Sequence, residues 1–354
     1  MNHIFIIGTR AQLIKVAPVI YTFEKNKIEP LIIFTGQHRD TMEDLLNEFS
    51  IKTKPFYLTT AKEHASILSL LTWAPSILIK LVQYLKKNQR ASNIYVHGDT
   101  LKTLKSAIAG KIARNRIIHL ESGLTSNNLF DPFPEEIIRR IVFRLTDIAC
   151  CPSQKDVLNM QRYKNIEILN TQGNTILDSI TQLKLVEKVT MVPNSCVVSI
   201  HRFQNINNLQ RLHEIVDMLI EISKNYAISM VLHPATLKKL KSFNLYDSLL
   251  NTSNIKLLPR MTYQKFITLS LSSDFVISDG GSNQEELAFF GHPTIILRDT
   301  TERSDGIGKN AILINQTQDA LSFIANNNFV NLKYPSKKLT TSPSTIIYKY
   351  MTYL

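Results

Sequence analysis

The residues of this sequence that could carry out chemistry lie directly after short apolar runs. Asp99 follows NIYVHG, Glu121 follows RIIHL, and Glu135 and Glu136 come soon afterwards in FPEE. Carboxylates can accept and release protons during a reaction, so several acids at one place indicate acid–base chemistry. The carboxyl ends of parallel strands share one edge of a sheet, which is where α/β proteins bind their ligands.

Two histidines occupy equivalent positions in the second half of the chain. His201 follows SCVVSI and His233 follows YAISMVL. A single histidine at a strand end is more often structural than catalytic. A ligand held between two α/β halves, however, would meet these histidines on one side and the acids on the other. The combination therefore indicates a site more strongly than any single residue does.

Two further segments have features of anion-binding sites. GTRAQLIKVAPVI follows the first apolar run and places Arg10 and Lys15 at a predicted helix start, where backbone amides attract anions. In SDGGSNQEEL, Gly280 and Gly281 allow close backbone approach just before a second predicted helix. Neither segment is a P-loop or a GxGxxG motif. Each suits a phosphate or carboxylate group.

Residues after the second of these segments could complete a nucleotide site. Glu286 could accept hydrogen bonds from ribose hydroxyls, although an acid near a helix start also stabilises the helix by about 0.3–1 kcal/mol. Arg298 and Arg303, in RDTTERSDG, could form bidentate contacts with phosphate.

The scaffold that must position these residues is predicted by apolar runs alternating with amphipathic stretches. Strands are predicted at HIFIIG, PLIIFTG, NIYVHGD, RIIHLES, DIACCPS, SCVVSIHR, YAISMVLHP, NIKLLPR, DFVISDGG and PTIILRD. Helices are predicted over 12–26, 41–49, 65–88, 100–114, 135–145, 207–225, 263–272 and 283–290. This alternation is typical of α/β proteins and predicts two doubly wound parallel-sheet, Rossmann-like domains facing a central cleft. We place them at 1–172 and 193–339, joined by a connector over 173–192, with a helix over 340–354 that packs on the first domain.

Composition excludes several classes of protein. The 354 residues are 44% hydrophobic and 20% charged, as in a globular chain of two domains. No apolar run approaches the roughly 20 residues of a membrane helix, and HIFIIG is too short for a signal peptide. Three cysteines without a CxxC pair argue against disulfides or zinc and predict a cytoplasmic protein. The net charge of +12 comes from scattered lysines without a nucleic-acid motif, so we expect no nucleic-acid partner.

In these motifs the chain resembles the non-hydrolysing bacterial UDP-N-acetylglucosamine 2-epimerases, whose two-domain fold is similar to that of GT-B glycosyltransferases. The resemblance covers nearly the whole chain, through ten segments in the same order: GTRAQLIKVAPV, TGQHRDTMEDLL, VHGDT, HLESGL, FPEEIIRR, GNTILDSI, SIHRFQN, PRMTYQKF, SDGGSNQEE and RDTTERSDG.

The resemblance implies a catalytic set. Asp99 matches the acid of the family's GDT motif, and Glu121 matches that of HxEAG. Glu135 matches the first acid of PEE, and His201 matches the histidine of HR. In the family these residues surround the sugar. Glu136 is expected to be a spare acid in the first turn of a helix.

The resemblance also implies residues for binding and assembly. Substrate and UDP binding are assigned to Arg10, Lys15, Arg139, Arg202, His233, Gly280, Gly281, Ser282, Glu286 and Arg303. Gln37 and His38 resemble a site where a second UDP-sugar binds as an activator. A homodimer is implied as well.

This sequence departs from the family pattern close to these positions. Gln12 stands where the family's GTRPE has its acid, and Thr125 stands where an arginine often follows HxEAGL. Ile138 replaces the asparagine of PEExNR, HRREN has become HRFQN, and the serine of DSGG has moved to Ser282. These changes bear on which sugar the protein binds.

The implied reaction is an inversion at C2 of a hexosamine, where the C–H bond is not acidic. In the family's route UDP leaves C1 while a base removes the C2 proton, and UDP then re-adds with a proton delivered to the other face. We expect Asp99 and Glu121 to flank C2, and Glu135 and His201 to assist intermediate and leaving-group chemistry. Neither a metal nor a nicotinamide is required, so no cofactor is expected.

Three other functions fit the same scaffold. A hydrolysing epimerase would release free N-acetylmannosamine and UDP, a GT-B-type glycosyltransferase would add an acceptor, and a non-catalytic protein would only bind the UDP-sugar. Hydrolysing epimerases usually diverge further from the PEE and TTER motifs kept here, so we rank that function second. Retention of all four implied catalytic positions argues against the transferase. The changes at Gln12, Thr125, Ile138 and Gln204 favour the transferase.

Overall fold

The structure is a computed structural model that describes residues 2–35, 39–58, 67–88, 91–129, 134–183, 189–301, 303–336 and 339–353. The chain divides into two compact units. The first unit comprises Met1–Leu183 and Leu339–Leu354, and the second comprises Lys184–Lys338. None of the helices in these ranges has the length and apolarity needed to cross a membrane.

The first unit is built on a seven-stranded parallel sheet in the order β3-β2-β1-β4-β5-β6-β7. Its strands are β1 (His3–Ile7), β2 (Leu31–Phe34), β3 (Phe56–Tyr57), β4 (Asn93–His97), β5 (Arg116–Leu120), β6 (Ile148–Cys151) and β7 (Glu167–Asn170). Its helices are α1 (Arg10–Lys25), α2 (Arg39–Glu48), α3 (Ile67–Asn88), α4 (Leu101–Ile112), α5 (Glu135–Leu145), α6 (Gln154–Met160) and α7 (Ile176–Gln182).

The second unit is built on a six-stranded parallel sheet in the order β10-β9-β8-β11-β12-β13. Its strands are β8 (Ser195–Ser199), β9 (Ala227–Val231), β10 (Ile255–Leu258), β11 (Phe275–Ser278), β12 (Thr294–Ile296) and β13 (Ala311–Leu313). Its helices are α8 (Phe203–Ile206), α9 (Leu209–Ile222), α10 (Pro234–Ser242), α11 (Tyr246–Leu250), α12 (Tyr263–Ser272), α13 (Gly281–Phe290) and α14 (Thr317–Ala325), followed by a 3₁₀ helix over Asn328–Leu332.

The central strands are buried on both faces, which explains their continuous apolar sequences. Ile4 of β1, Ile94 of β4 and Ile117 of β5 have no exposed surface and pack in one core cluster. Cys196 of β8 and Phe275 of β11 are equally buried in the core of the second unit. The prediction of two doubly wound parallel-sheet domains is confirmed.

Three strands were not predicted, namely β3, β7 and β13. Each lies at the edge of its sheet. An edge strand has a neighbour on one side only, and β3 and β7 contain no fully buried residue. Such strands lack the long apolar run that marks a central strand.

Two helices complete the first unit from later in the chain. Helix α7 lies inside the segment predicted as a connector and packs on α1, where the Ser179 hydroxyl donates to the carbonyl of Ile14 at 2.5 Å. The last helix, α15 (Pro343–Tyr353), also contacts α1, through Phe23 and Tyr348 with ring centroids 5.2 Å apart. Asp178 of α7 accepts the backbone N–H of Ser344 at 2.7 Å.

Both sheets have a switch point at which strand order reverses. In the first unit it lies between β1 and β4, and in the second between β8 and β11. Open α/β sheets bind ligands beyond the carboxyl ends of the strands at such points. The loops after β1, β4, β8 and β11 are therefore the places where a site is expected.

Candidate active site

Glu121 begins the loop after β5, next to the first switch point. Its backbone is left-handed, with φ +60°, a conformation that costs a non-glycine residue about 1–3 kcal/mol unless the surrounding structure holds it. Lys15 of α1 donates to Oε1 at 2.5 Å, and Asn174 donates to the same oxygen. The ring of His97 lies 3.5 Å from Oε2. The carboxylate is thus 7% exposed and held against a cation.

Asp99 lies in the adjacent loop, after β4, and forms an ion pair with Arg139 of α5. Its side chain is 29% exposed, whereas that of Arg139 is 5% exposed. Burial alone would lower the pKa of Arg139, but the neighbouring carboxylates of Asp99 and Glu136 outweigh it and raise that pKa. Arg139 therefore stays charged and holds a half-buried carboxylate at the strand ends.

Glu136 has a larger structural role than the sequence predicted. Its carboxylate is fully buried and accepts from Arg139 at 2.5 Å, Arg140 at 3.0 Å, the Thr125 hydroxyl at 2.5 Å and the Ser126 N–H at 3.2 Å. Burial raises the pKa of Glu136, but these donors more than offset the effect and the pKa is lowered overall. The arginines lie three and four residues after the acid, a spacing that indicates helix ion pairs and could have been recognised from sequence.

His119 is a further residue that the sequence analysis missed. Its ring is fully buried, with Nε2 2.9 Å from the carbonyl of Gly98 and Nδ1 3.0 Å from the hydroxyl of Ser122. Burial lowers the pKa of His119 to about 4, so the ring is neutral at ordinary pH. It joins the loop that carries Asp99 to the loop that carries Glu121.

Gln12 joins the loops after β1 and β4. Its Oε1 accepts from the backbone N–H of Gly8 at 2.8 Å and of Thr9 at 3.2 Å, while Nε2 donates to the carbonyl of His97 and the hydroxyl of Thr103, both at 2.8 Å. The side chain is 5% exposed. The oxygen of an amide can accept on one side while its nitrogen donates on the other. The glutamine that replaces the family's acid at position 12 is therefore matched to its hydrogen-bond partners in a buried network.

We expect a Gln12→Glu variant to lose stability as pH rises. A carboxylate there would face the carbonyl of His97, and burial would raise its pKa in the folded protein. The unfolded chain would ionise at its ordinary pKa, so above that pH the folded state binds more protons and its stability falls with increasing pH. The free energy of unfolding, measured with urea at pH 5 and pH 8, should drop more for the variant than for the parent.

Gln182→Glu is the matched control. The amide of Gln182 donates to the carbonyl of Phe49 at 2.8 Å but is only half-buried, so a carboxylate there can stay hydrated. If the free energy of unfolding depended equally on pH in the two variants, the buried network around Gln12 would not require an amide.

In the second unit, Asp279 organises the loop after β8. Its fully buried carboxylate accepts the backbone N–H of His201 at 3.0 Å and of Arg202 at 2.9 Å, and the amide of Asn205 at 3.0 Å. The His201 side chain is 39% exposed and its ring centroid lies 5.6 Å from that of His233. His233 caps α10, its Nδ1 accepting the N–H of Ala235 at 3.3 Å.

The glycine-rich loop after β11 leads into α13. The helix begins at Gly281, two positions before the predicted start, and its N-terminus has no side-chain cap among the described residues. The Ser278 hydroxyl accepts the N–H of Gly280 at 3.2 Å and the amide of Asn283 at 2.9 Å. A Cβ at Gly280 would lie 2.9 Å from Cε1 of His201, so glycine leaves room for this ring. Amides at such a helix start suit an anion.

Buried polar side chains connect α13 to the loop after β12. Arg303 pairs with Glu285 at 2.6 Å, and Gln284 donates to the carbonyls of Arg303 and Asp305 at 3.1 and 2.8 Å. Glu286 is 2% exposed. Contacts of Glu286 and Arg303 with a nucleotide stay predictions.

The structure thus places the predicted residues in two groups. Lys15, Asp99, Glu121 and Arg139 lie together at the first switch point, and His201, Arg202, His233, Gly280 and the first two residues of α13 lie together at the second. Arg10 begins α1 and Glu135 begins α5, both half-buried. Gln37 and His38 lie outside the described residues.

Comparison with known proteins identifies the family. The family model for UDP-N-acetylglucosamine 2-epimerase matches residues 22–331. The UDP-N-acetylglucosamine 2-epimerase of Methanocaldococcus jannaschii is 32% identical over 336 residues, which cover 89% of each chain. That of Salmonella borreze is 30% identical over 330 residues, covering 88% of this chain and 85% of the other.

A solved structure agrees with the sequence comparison. It is the structure of the Methanocaldococcus jannaschii UDP-GlcNAc 2-epimerase in complex with UDP-GlcNAc and UDP. Its superposition on this chain covers all of both chains, with 27% sequence identity and a TM-score of 0.87. Fold, motifs and matched length agree, and the GT-B-like fold expected from sequence is confirmed. This chain belongs to the UDP-N-acetylglucosamine 2-epimerase family, and it is an isomerase.

Proposed function

We propose that this enzyme inverts C2 of a UDP-linked N-acetylhexosamine, converting UDP-GlcNAc to UDP-ManNAc or a close variant, for the synthesis of a surface polysaccharide. The observation that carries the proposal is the pair of carboxylates, Glu121 and Asp99, in adjacent loops at the first switch point. Each is held by a buried cation, Lys15 or Arg139. Relatives named as UDP-N-acetylglucosamine 2-epimerases support the choice of sugar.

The proposed route is elimination and re-addition. The C1–O bond breaks and its electron pair leaves with UDP, while a carboxylate takes the C2 proton and a C1–C2 double bond forms. UDP then bonds to C1 again as a proton reaches C2 from the other face. Such a route needs proton-transfer groups and cations that stabilise the departing diphosphate. We assign proton transfer to Asp99 and Glu121, and assistance to Glu135 and His201.

Diphosphate binding is assigned to the second unit. The glycine-rich start of α13 offers backbone amides, and we assign the positive charge to Arg202, in the loop after β8, and to Arg303, which pairs with Glu285 of α13. In this proposal the net positive charge of the chain favours a doubly anionic substrate.

Proton NMR of the enzyme with UDP-GlcNAc in D₂O tests the proposal. We expect deuterium to replace H2 as UDP-ManNAc appears, because the C2 proton exchanges with solvent through the acids. Free N-acetylmannosamine in place of UDP-ManNAc would identify a hydrolysing enzyme. Binding without H2 exchange would contradict the proposed reaction on this sugar.

The Asp99→Asn protein is the matched control for that experiment. The amide keeps the size of the side chain but cannot act as a base, so exchange should be at least about 10²-fold slower. Exchange at the parent rate would show that Asp99 takes no part in proton transfer.

A further inference from the structure

The ring of His201 is placed against a buried carboxylate that the proposed reaction does not use. Nδ1 of His201 lies 3.3 Å from Oδ1 of Asp279, whose side chain has no exposed surface. The same carboxylate accepts the backbone N–H groups of His201 and Arg202 and the side-chain amide of Asn205. The contact between Nδ1 and Oδ1 lies within ion-pair distance, and the negative charge of Asp279 beside Nδ1 favours the tautomer that carries its proton on that nitrogen.

The backbone around Asp279 holds that arrangement in place. Asp279 follows β11, which pairs with β8 at the centre of the sheet, with Ser278 opposite Ser199. The next residue, Gly280, has no side chain to displace the imidazole. Asn205 is itself fixed, because its amide also donates to the carbonyl of Leu297 at 3.1 Å and its oxygen accepts from Arg211 at 3.1 Å.

The neighbouring histidine has the opposite assignment. Nδ1 of His233 accepts the backbone N–H of Ala235, so in the neutral ring the proton is on Nε2. Among the residues that the structure describes, the titratable side chains recorded next to His201 are Asp279, beside Nδ1, and His233, whose ring is 5.6 Å away.

We infer that Asp279 is a positioning residue that keeps His201 in the tautomer with its proton on Nδ1, which leaves Nε2 as the acceptor. A sugar hydroxyl that meets the ring of His201 would find a nitrogen that accepts its proton. An aspartate that selects a histidine tautomer is a known device of hydrolytic enzymes, where its loss leaves the ring in the wrong form.

Nitrogen NMR of the whole enzyme, with selectively labelled histidine at pH 8, tests the inference directly. The His201 signals are assigned by their loss in a His201→Gln protein. We expect the shift pattern of Nδ1–H in the parent and growth of the Nε2–H form in Asp279→Asn. An Nε2–H ring in the parent would overturn the inference, even if the Asp279 variant did not fold.

Asp274→Asn is the matched control. Asp274 precedes the opposite end of β11 and accepts the backbone N–H of Ser195 at 3.1 Å, so its loss should leave the His201 tautomer unchanged. If Asp274→Asn changed the His201 tautomer as much as Asp279→Asn does, general loosening of the sheet, and not loss of the local carboxylate, would explain the change in tautomer.

The effect on turnover rests on the proposed function, whereas the tautomer does not. Asp279→Asn should lower kcat by about tenfold or more with little change in KM, and should add almost nothing to the loss in His201→Gln. A further loss in the double variant would contradict action through His201. An altered tautomer with unchanged kcat would refute the role of His201 in the reaction and leave the positioning of its ring intact.

Discussion

Glu121→Gln should lower kcat by at least about 10²-fold while the protein stays folded. Glutamine has the same shape and can still accept from Lys15 and Asn174, but it cannot take or return a proton. The substitution also places a neutral oxygen, in place of a carboxylate 2.5 Å away, beside the buried ammonium of Lys15. We would measure initial rates of epimerisation and of H2 exchange, because a base for C2 affects both.

Glu24→Gln provides the comparison. Glu24 lies on the same helix as Lys15, and its carboxylate accepts the backbone N–H groups of Lys52 and Thr53, away from the strand ends. Its loss should change kcat less than about twofold. Retention of more than a tenth of kcat in Glu121→Gln would remove Glu121 from proton transfer, and loss of epimerisation with normal exchange would assign it to return of the proton.

Glu136→Gln should lower the free energy of unfolding by about 3–5 kcal/mol. The buried carboxylate neutralises Arg139 and Arg140 and accepts from Thr125 and Ser126, and one amide oxygen cannot replace these contacts. The remaining guanidinium of Arg139 would be buried with Asp99 alone. We also expect kcat to fall, because Arg139 would no longer hold Asp99 in place.

The pH dependence of this loss has a defined sign. The pKa of Glu136 is lowered in the folded protein, so its ionised form stabilises the fold above the ordinary value of 4.5 and this contribution is lost as pH falls below it. The difference in urea stability between parent and variant should therefore shrink on acidification from pH 7 to pH 4.

An exposed ion pair in the same unit is the control for Glu136. Glu167 pairs with Arg116 at 2.8 Å, but its side chain is 48% exposed, so Glu167→Gln should cost less than about 1 kcal/mol. Similar losses for the two glutamates would show that burial of Glu136 contributes nothing to stability.

The fold class and the location of most candidate site residues could be predicted from the amino-acid sequence. Central strands of a parallel sheet are buried on both faces, so β1, β4, β8 and β11 appear as continuous apolar runs that can be recognised without a structure. Residues that follow such runs, including Asp99 and His201, must lie at the carboxyl edge. The order of the motifs was sufficient to predict the family.

Edge strands and helix starts were less predictable. The short strands β3, β7 and β13 bury too little to have a distinctive pattern. The start of α13 at Gly281 was predicted two residues too late because its first turn contains glycine and serine, which are not good helix formers. Local sequence carries little information at such places because the neighbouring strand or loop decides the conformation.

Which polar residues are buried among partners and which remain at the strand ends became clear only in the folded chain. Glu135 and Glu136 are adjacent in sequence, yet Glu136 is the buried centre of an ion-pair network and Glu135 is half-buried. The sequence analysis gave no role to His119 or Asp279, because their partners come from other loops of the same sheets. The free energy of a buried polar group depends on partners distant in sequence, and those partners become neighbours only when the chain folds.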